Sequence, residues 1–156
     1  MKRIGFLINP VAGLGGQAGL KGSDDQTGRE LALRKGYLKT APKRARQCVE
    51  TFLKTEEAGY EILAPEGEMG GSLLRQMGIP FRPLGELPSG QVTTREDTIR
   101  AAREIQRAKA DLLVFCGGDG TARDLCQALG SEFPVLGVPA GVKMYSACFA
   151  VNPWKA

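Results

Sequence analysis

The chain has 156 residues, of which 42% are hydrophobic and 24% charged, enough for one globular domain with a sizeable core. Its net charge of +4, with a pI of about 9.0, suits phosphate-bearing ligands, but no dense Lys/Arg block with interleaved aromatics argues for nucleic acid, and Lys43-Arg44-Ala45-Arg46 reads as a solvated helix face. The sequence holds no histidine, which excludes His acid–base chemistry and His metal sites; its cysteines, at 48, 116, 126 and 148, lack Cys-x-x-Cys spacing and point to neither zinc nor disulfides, and no segment is long and apolar enough to span a membrane, so the expected setting is reducing and cytoplasmic.

Met1-Lys-Arg followed by the apolar Ile4–Ile8 imitates the start of a secretory signal. The apolar stretch is too short for that and runs into Asn9-Pro10, so it reads as a first buried strand. From Asn9 to Ser23 the chain is rich in glycine, with Ser23 a candidate helix cap. Within it, Gly13-Leu-Gly-Gly-Gln-Ala18 matches the Gly-x-Gly-x-x-Ala pattern of dinucleotide-binding turns. Two features count against that reading: Gly19, Gly22 and Ser23 delay the helix the motif should open, and Ala64-Pro65 stand where an acidic residue should close the second strand. A loop that wraps phosphate and a plain surface loop both fit the glycine content. Asn9 either holds this loop by side-chain hydrogen bonds or touches a ligand.

A helix is expected from about Ala41 to Lys54, with Ala45, Cys48, Val49 and Phe52 on one side. Tyr60–Ala64 is the second strand, Glu66–Gly71 a turn, and Ser72–Met77 a short helix whose preceding Gly70-Gly71 is either its entry or a ligand loop. Ile79–Leu84 is apolar but carries Pro80 and Pro83, which confine it to a sheet edge at best. After a loop at Pro88–Thr93, Thr94 caps a helix with Asp97 at its third position and Ile99, Ala102 and Ile105 toward the core. Capping accounts for most of Thr94–Thr98, and Asp97 remains a candidate ligand contact.

The most informative stretch follows. Asp111-Leu-Leu-Val-Phe115 is apolar on both faces, as in a parallel sheet, and leads into Cys116-Gly-Gly-Asp-Gly-Thr121. Thr121 is the expected N-cap of the next helix, with Asp124 completing a capping box, Ala122, Leu125, Cys126 and Leu129 forming its apolar face, and Gly130 ending it. Phe133–Val138 is the last strand and Pro139–Ser146 the last loop. Strands alternating with helices predict a three-layer α/β/α sandwich with a mainly parallel, Rossmann-like sheet and right-handed crossovers. Gly117, Gly118, Asp119 and Gly120 then lie at the carboxyl end of a strand, where open α/β sheets bind ligands. Glycines allow backbone N–H groups to approach a phosphate, and the helix N-terminus adds partial positive charge. A carboxylate in that place repels phosphate unless it holds Mg²⁺ or accepts the proton of an attacking hydroxyl. The alternative is a tight turn with no ligand.

Phe115-Cys-Gly-Gly-Asp-Gly-Thr-Ala-Arg-Asp124 resembles the signature of the NAD kinase / diacylglycerol kinase superfamily, closest to the ATP–NAD kinase-like branch that includes acetoin-catabolism-X-type proteins. Three further segments resemble the same branch, in order: the run from Ile8 to Asp24, Thr94–Thr98, and Leu136–Ala150. The resemblance implies phosphoryl transfer from ATP or polyphosphate to the adenosine-ribose 2′-hydroxyl of NAD, giving NADP, with Mg²⁺ or another divalent cation. It implies Asp119 as the catalytic carboxylate or Mg²⁺ ligand. Gly117, Gly118, Gly120 and Thr121 would sit at the phosphate, and Asn9, Pro10, Gly13, Gly15 and Gly16 in the loop that wraps the nucleotide. Lys143, in Pro139-Ala-Gly-Val-Lys143 where diacylglycerol kinases carry a Pro-x-Gly-Thr turn, would meet phosphate or be solvated, and Tyr145 and Ser146 would touch substrate or start a helix. Members generally carry a β-rich second domain that forms the other wall of the cleft. The expectation for residues 1–156 is therefore a single N-terminal nucleotide-binding domain, weakly active or inactive alone and prone to self-association through the face left uncovered. The rival readings are a kinase of a lipid or another small metabolite, a non-catalytic nucleotide-binding module tied to acetoin catabolism, and an oxidoreductase domain if Gly13–Ala18 opens a helix.

Overall fold

The structure, a computed structural model, describes residues 1–14, 40–52, 59–85, 93–141 and 144–156. Five strands, β1 (Lys2–Ile8), β2 (Tyr60–Pro65), β3 (Arg82–Leu84), β4 (Leu112–Gly117) and β5 (Val135–Pro139), form one all-parallel sheet in the order β3-β2-β1-β4-β5. Four described helices accompany them: α1 (Thr40–Phe52), α2 (Gly71–Gln76), α3 (Arg95–Arg107) and α4 (Asp119–Leu129). Short 3₁₀ turns stand at Gly67–Met69 and Pro153–Lys155.

The period of two in the central strands sends alternate residues to two cores. Phe6 and Ile8 of β1, with Cys116 of β4 and Val138 of β5, pack beneath Ala41, Ala45, Cys48 and Val49 of α1 and Leu73 and Leu74 of α2. Leu7, Leu113 and Phe115 face the other way, against Ala101, Ala102 and Ile105 of α3 and Ala122, Leu125 and Leu129 of α4. The three layers expected of the sequence are therefore present. In register, Ile8 stands beside Cys116 and Gly117 beside Pro139, so β1, β4 and β5 end at a common level. Burial pushes the Cys48 thiol up to about 11 and that of Cys116 upward as well, so both are inert core groups.

Several expected boundaries move. β1 begins at Lys2 rather than Ile4, α1 at Thr40, α2 at Gly71, β4 at Leu112 and β5 at Val135. Of the apolar stretch Ile79–Leu84, the three residues from Arg82 pair as the edge strand β3. The candidate cap Ser23, the pattern beyond Leu14 and the loop at 86–92 lie outside the described residues. Phe52 is half-buried, its ring 4.7 Å from that of Tyr60, and Ile99 is half-buried while Thr98 and Ala101 turn inward in its place. Cys126 is exposed rather than on the apolar face, because α4 buries the Ala122–Leu125–Leu129 stripe and leaves Cys126 at its edge.

The start of α4 needs a larger correction. Thr121 is not its N-cap: the helix begins at Asp119, and Gly118, extended at φ −116° and ψ −171°, is the cap, with no side-chain hydrogen bond. Asp119 at the first helical position gains from the positive end of the helix. Asp124 forms no capping box; its carboxylate accepts from Arg95 Nε at 2.7 Å and joins α4 to α3. Gly130 ends α4 as expected, in the left-handed region at φ 79°.

The cap of α3 is as the sequence predicts. The Asp97 N–H donates to Thr94 Oγ1 at 3.3 Å, and the Thr94 N–H donates to Asp97 Oδ2 at 2.9 Å. Thr94→Ala removes the hydroxyl that receives the Asp97 N–H and is expected to lower stability by about 1 kcal/mol, read as a lower urea midpoint at unchanged slope. Among the described residues, no helix is long and apolar enough to cross a membrane.

Candidate functional site

β1 leads through α1 toward β2 on one side, and β4 leads through α4 toward β5 on the other. The sheet therefore changes direction between β1 and β4, and a crevice at the carboxyl ends of the strands is expected there. Three segments converge on it: residues 9–14 after β1, Gly118–Thr121 after β4, and 140–146 after β5, of which 142–143 lie outside the described residues.

Asn9 is committed to holding its neighbours. Its Nδ2 donates to Thr121 Oγ1 at 2.9 Å, its Oδ1 accepts from the Val11 N–H at 3.2 Å, and its own N–H donates to the Cys116 carbonyl at 2.9 Å. This favours the loop-holding role over ligand contact for Asn9. It also gives the buried Thr121 hydroxyl a structural job in place of the expected cap. Pro10 is fully buried beneath the turn, so its side chain supports the loop rather than lining the crevice.

The glycines after β4 divide by cause. A Cβ on Gly117 would stand 2.6 Å from Thr121 Cβ, so this glycine lets α4 dock against the end of its own strand. A Cβ on Gly118 would meet nothing nearer than Met144 Cε at 3.9 Å, and its φ suits any residue. Nothing in the packing requires glycine there. What its bare backbone does provide is access to the first N–H groups of α4, which have no intrahelical acceptors. Gly118→Ala is therefore expected to leave thermal stability within about 0.5 kcal/mol of wild type. It should weaken binding of a phosphate-bearing nucleotide severalfold, measured by calorimetry beside a melting curve.

Asp119 is gripped by the segment after β5. The Tyr145 N–H lies 2.9 Å from Oδ2 and 3.1 Å from Oδ1, while the Ser146 N–H and hydroxyl donate to Oδ1 at 2.8 and 2.5 Å. Partial burial pushes the Asp119 pKa up, but the Ser146 hydroxyl and the Tyr145 and Ser146 N–H groups outweigh it, and the carboxyl ends below its ordinary range. It is therefore an anion held in a fixed orientation. Oδ1 takes three donors, whereas Oδ2 takes one N–H and has capacity for a further hydrogen bond. Tyr145 and Ser146 start no helix; they hold Asp119 through backbone N–H groups, and the Tyr145 ring stays exposed.

Among the described residues, no group of three or more His, Cys, Asp or Glu side chains could hold a metal ion. With so few protein ligands, a Mg²⁺ ion here would be carried by nucleotide phosphates rather than by an all-protein metal cage. Asp97 lies apart from this cluster, at the start of α3. Both Asp97 oxygens are engaged within the first turns of α3, by Thr94 and by Arg100 Nη2 at 2.6 Å. Gly15, Gly16 and Lys143 lie outside the described residues. Gly13 belongs to the β1 turn with φ 87°, and Gly120 is half-buried in the first turn of α4. Gly70 and Gly71 serve as the entry to α2: a Cβ on Gly71 would stand 2.9 Å from the Pro65 carbonyl, so close packing of helix on strand accounts for it. No sequence signal marks Thr40 or Ala140, which also meet here; their contact joins residues a hundred positions apart.

An all-parallel, doubly wound α/β sheet with a glycine-flanked carboxylate at its switch point defines the class. Within it, the chain belongs to the ATP-NAD kinase N-terminal domain family, whose family model matches residues 4–155. No curated protein matches the chain. Among solved structures, it is similar to UDP-GlcNAc 2-epimerase from Neisseria meningitidis bound to UDP-GlcNAc, at 11% identity and a TM-score of 0.45, over 88% of this chain and 32% of that one. The chain thus spans about a third of that protein's length.

Proposed function

We propose that this chain is a NAD kinase-like phosphotransferase domain of the cytoplasm. In this reading it binds nucleotide phosphate at the crevice between β1 and β4, with ATP or polyphosphate as donor and the 2′-hydroxyl of NAD as acceptor. The observation that carries the reading is the Asp119 carboxylate, fixed by Tyr145 and Ser146 beside the half-buried, side-chain-free Gly118 at the start of α4. Family membership supports the class of reaction. The helix N-terminus and the bare Gly118 backbone hold the phosphates by N–H donation. Mg²⁺, when bound with the nucleotide, supplies charge neutralisation on the phosphate oxygens.

An aspartate that stays ionised is a weak general base, so orienting the acceptor hydroxyl is the larger part of its role. Phosphoryl transfer passes through a loose transition state that needs positioning more than deprotonation. Asp119 Oδ2 accepts the hydrogen bond of the acceptor hydroxyl and orients it in line, and the rigid cradle on Oδ1 fixes the direction. Asn9 and Thr121 tie the β1 turn to α4 and hold the two walls of the crevice together.

The test is NADP formation by the purified chain given NAD and Mg²⁺, with ATP and separately with polyphosphate. The reading expects at most slow turnover from this domain alone, lost in Asp119→Asn. Turnover that survives the substitution, or a chain that binds no ADP, contradicts it.

A further inference from the structure

The hydroxyl of Thr40, first residue of α1, lies 2.8 Å from the Ala140 carbonyl and 3.4 Å from the Ala12 carbonyl. These contacts complete a circuit. The Ala12 N–H donates to the Asn9 carbonyl at 3.1 Å, and the Asn9 N–H donates to the Cys116 carbonyl at 2.9 Å. One residue on, the Gly117 carbonyl accepts from the Ala140 N–H at 2.9 Å, and Ala140 returns through its own carbonyl to Thr40. The ring passes through the carboxyl ends of β1, β4 and β5, and every member but Thr40 takes part through its backbone. Gly13 shows how tightly it closes. Its φ is 87°, and a Cβ there would overlap the Thr40 hydroxyl and stand 2.5 Å from the Ala140 carbonyl oxygen.

We infer that Thr40 is a positioning residue whose hydroxyl locks the turn after β1 to the turn after β5, and so sets the opening between residues 9–13 and Gly118–Asp119 in which a nucleotide's phosphates sit. The inference rests on the proposed nucleotide site for its functional half; the locking itself rests on the hydrogen bonds alone. A threonine suits this position because its single O–H, donated to the Ala140 carbonyl at 2.8 Å and shared at longer range with the Ala12 carbonyl at 3.4 Å, lies between two acceptors neither of which can donate to the other.

Thr40→Val keeps the volume and removes the hydroxyl, and Thr40→Ser keeps the hydroxyl. Two quantities are measured on the full chain, well below the melting temperature of each variant. One is the Kd for ADP by calorimetry. The other is amide hydrogen exchange in peptides covering 9–14 and 139–141. Loss of one hydrogen bond at the site is expected to raise the ADP Kd of Thr40→Val roughly five- to tenfold. Exchange in both peptides should quicken, and Thr40→Ser should restore both values. A wild-type Kd and wild-type exchange in Thr40→Val, or a failure of Thr40→Ser to rescue, overturns the inference. A Kd unchanged while exchange quickens reduces Thr40 to a structural tie and overturns its positioning role. If the wild type itself binds no ADP, the proposed function fails, and unchanged exchange in Thr40→Val then separately refutes the lock. Thr40→Ala serves as the second hydroxyl-free variant should the valine not fold.

Discussion

Asp119→Asn is expected to cut phosphoryl transfer by about 10²–10⁴-fold while leaving the sheet intact. The substitution changes little in volume but reverses one contact. Tyr145 N–H lies near both carboxylate oxygens, so whichever way the Asn amide turns, its NH₂ group faces a donor. The segment at 144–146 must draw back, and the acceptor hydroxyl loses both its partner and its direction. Steady-state kinetics beside circular dichroism separates this from unfolding. The stability consequence has a definite sign. The folded pKa of Asp119 is below its ordinary value. Its contribution is therefore present above the unfolded-state pKa and is lost as pH falls through the folded one. Near neutral pH the wild type should outlast Asp119→Asn in urea, and the gap should close in acid. A gap that widens in acid would show that the cradle does not favour the anion.

Phe115→Ala is the substitution expected to cost most stability, about 3–5 kcal/mol. Phe115 is fully buried in β4, between the strand layer and α4, with its ring edge-on to Phe149 at 5.4 Å and 63°. Phe149 belongs to the stretch pinned along β5, where the Gly137 N–H donates to the Cys148 carbonyl at 2.8 Å and the Ala150 N–H donates back to the Gly137 carbonyl at 2.9 Å. Losing the Phe115 ring leaves a cavity and removes the apolar anchor of the segment that presents Tyr145 and Ser146 to Asp119. A loss of that size is a large share of a small domain's stability. Urea denaturation measures it directly. Turnover per folded molecule should fall as well, whereas Phe115→Leu, which keeps most of the volume, should cost less than about 1.5 kcal/mol. Equal midpoints for the alanine variant and the wild type would mean that the ring is not a core anchor.

The layered α/β fold is legible in the sequence because two physical signals coincide. The central strands are apolar on both faces, as Asp111–Phe115 shows, and the helices between them carry one apolar stripe each. Pro80 and Pro83 place β3 at an edge for the same reason that proline avoids the middle of a sheet. The capping box at Thr94 and the stop at Gly130 are local chemistry and are read correctly from a few residues. The start of α4 is not, because Gly118, with no side chain to announce it, does the capping that Thr121 is better equipped to do. Thr121 is drawn away by Asn9, a partner more than a hundred residues distant. Asp124 departs from its expected role in the same way, since Arg95 on another helix outcompetes the local backbone. Asp119 stands out in the sequence by its glycine setting, but its grip by Tyr145 and Ser146, and the ring through Thr40, are tertiary contacts that no local spacing encodes.

All of the proposed chemistry depends on nucleotide phosphate binding at the carboxyl ends of β1 and β4, at the start of α4. An amide-resolved NMR titration of the chain with Mg²⁺-ATP reads this site without relying on turnover. Saturable shifts are expected in residues 11–14, in Gly118–Thr121 and in 144–146, with the Gly118 and Asp119 amides moving most. Shifts clustered at another face, or no change at millimolar nucleotide, would contradict binding at this crevice.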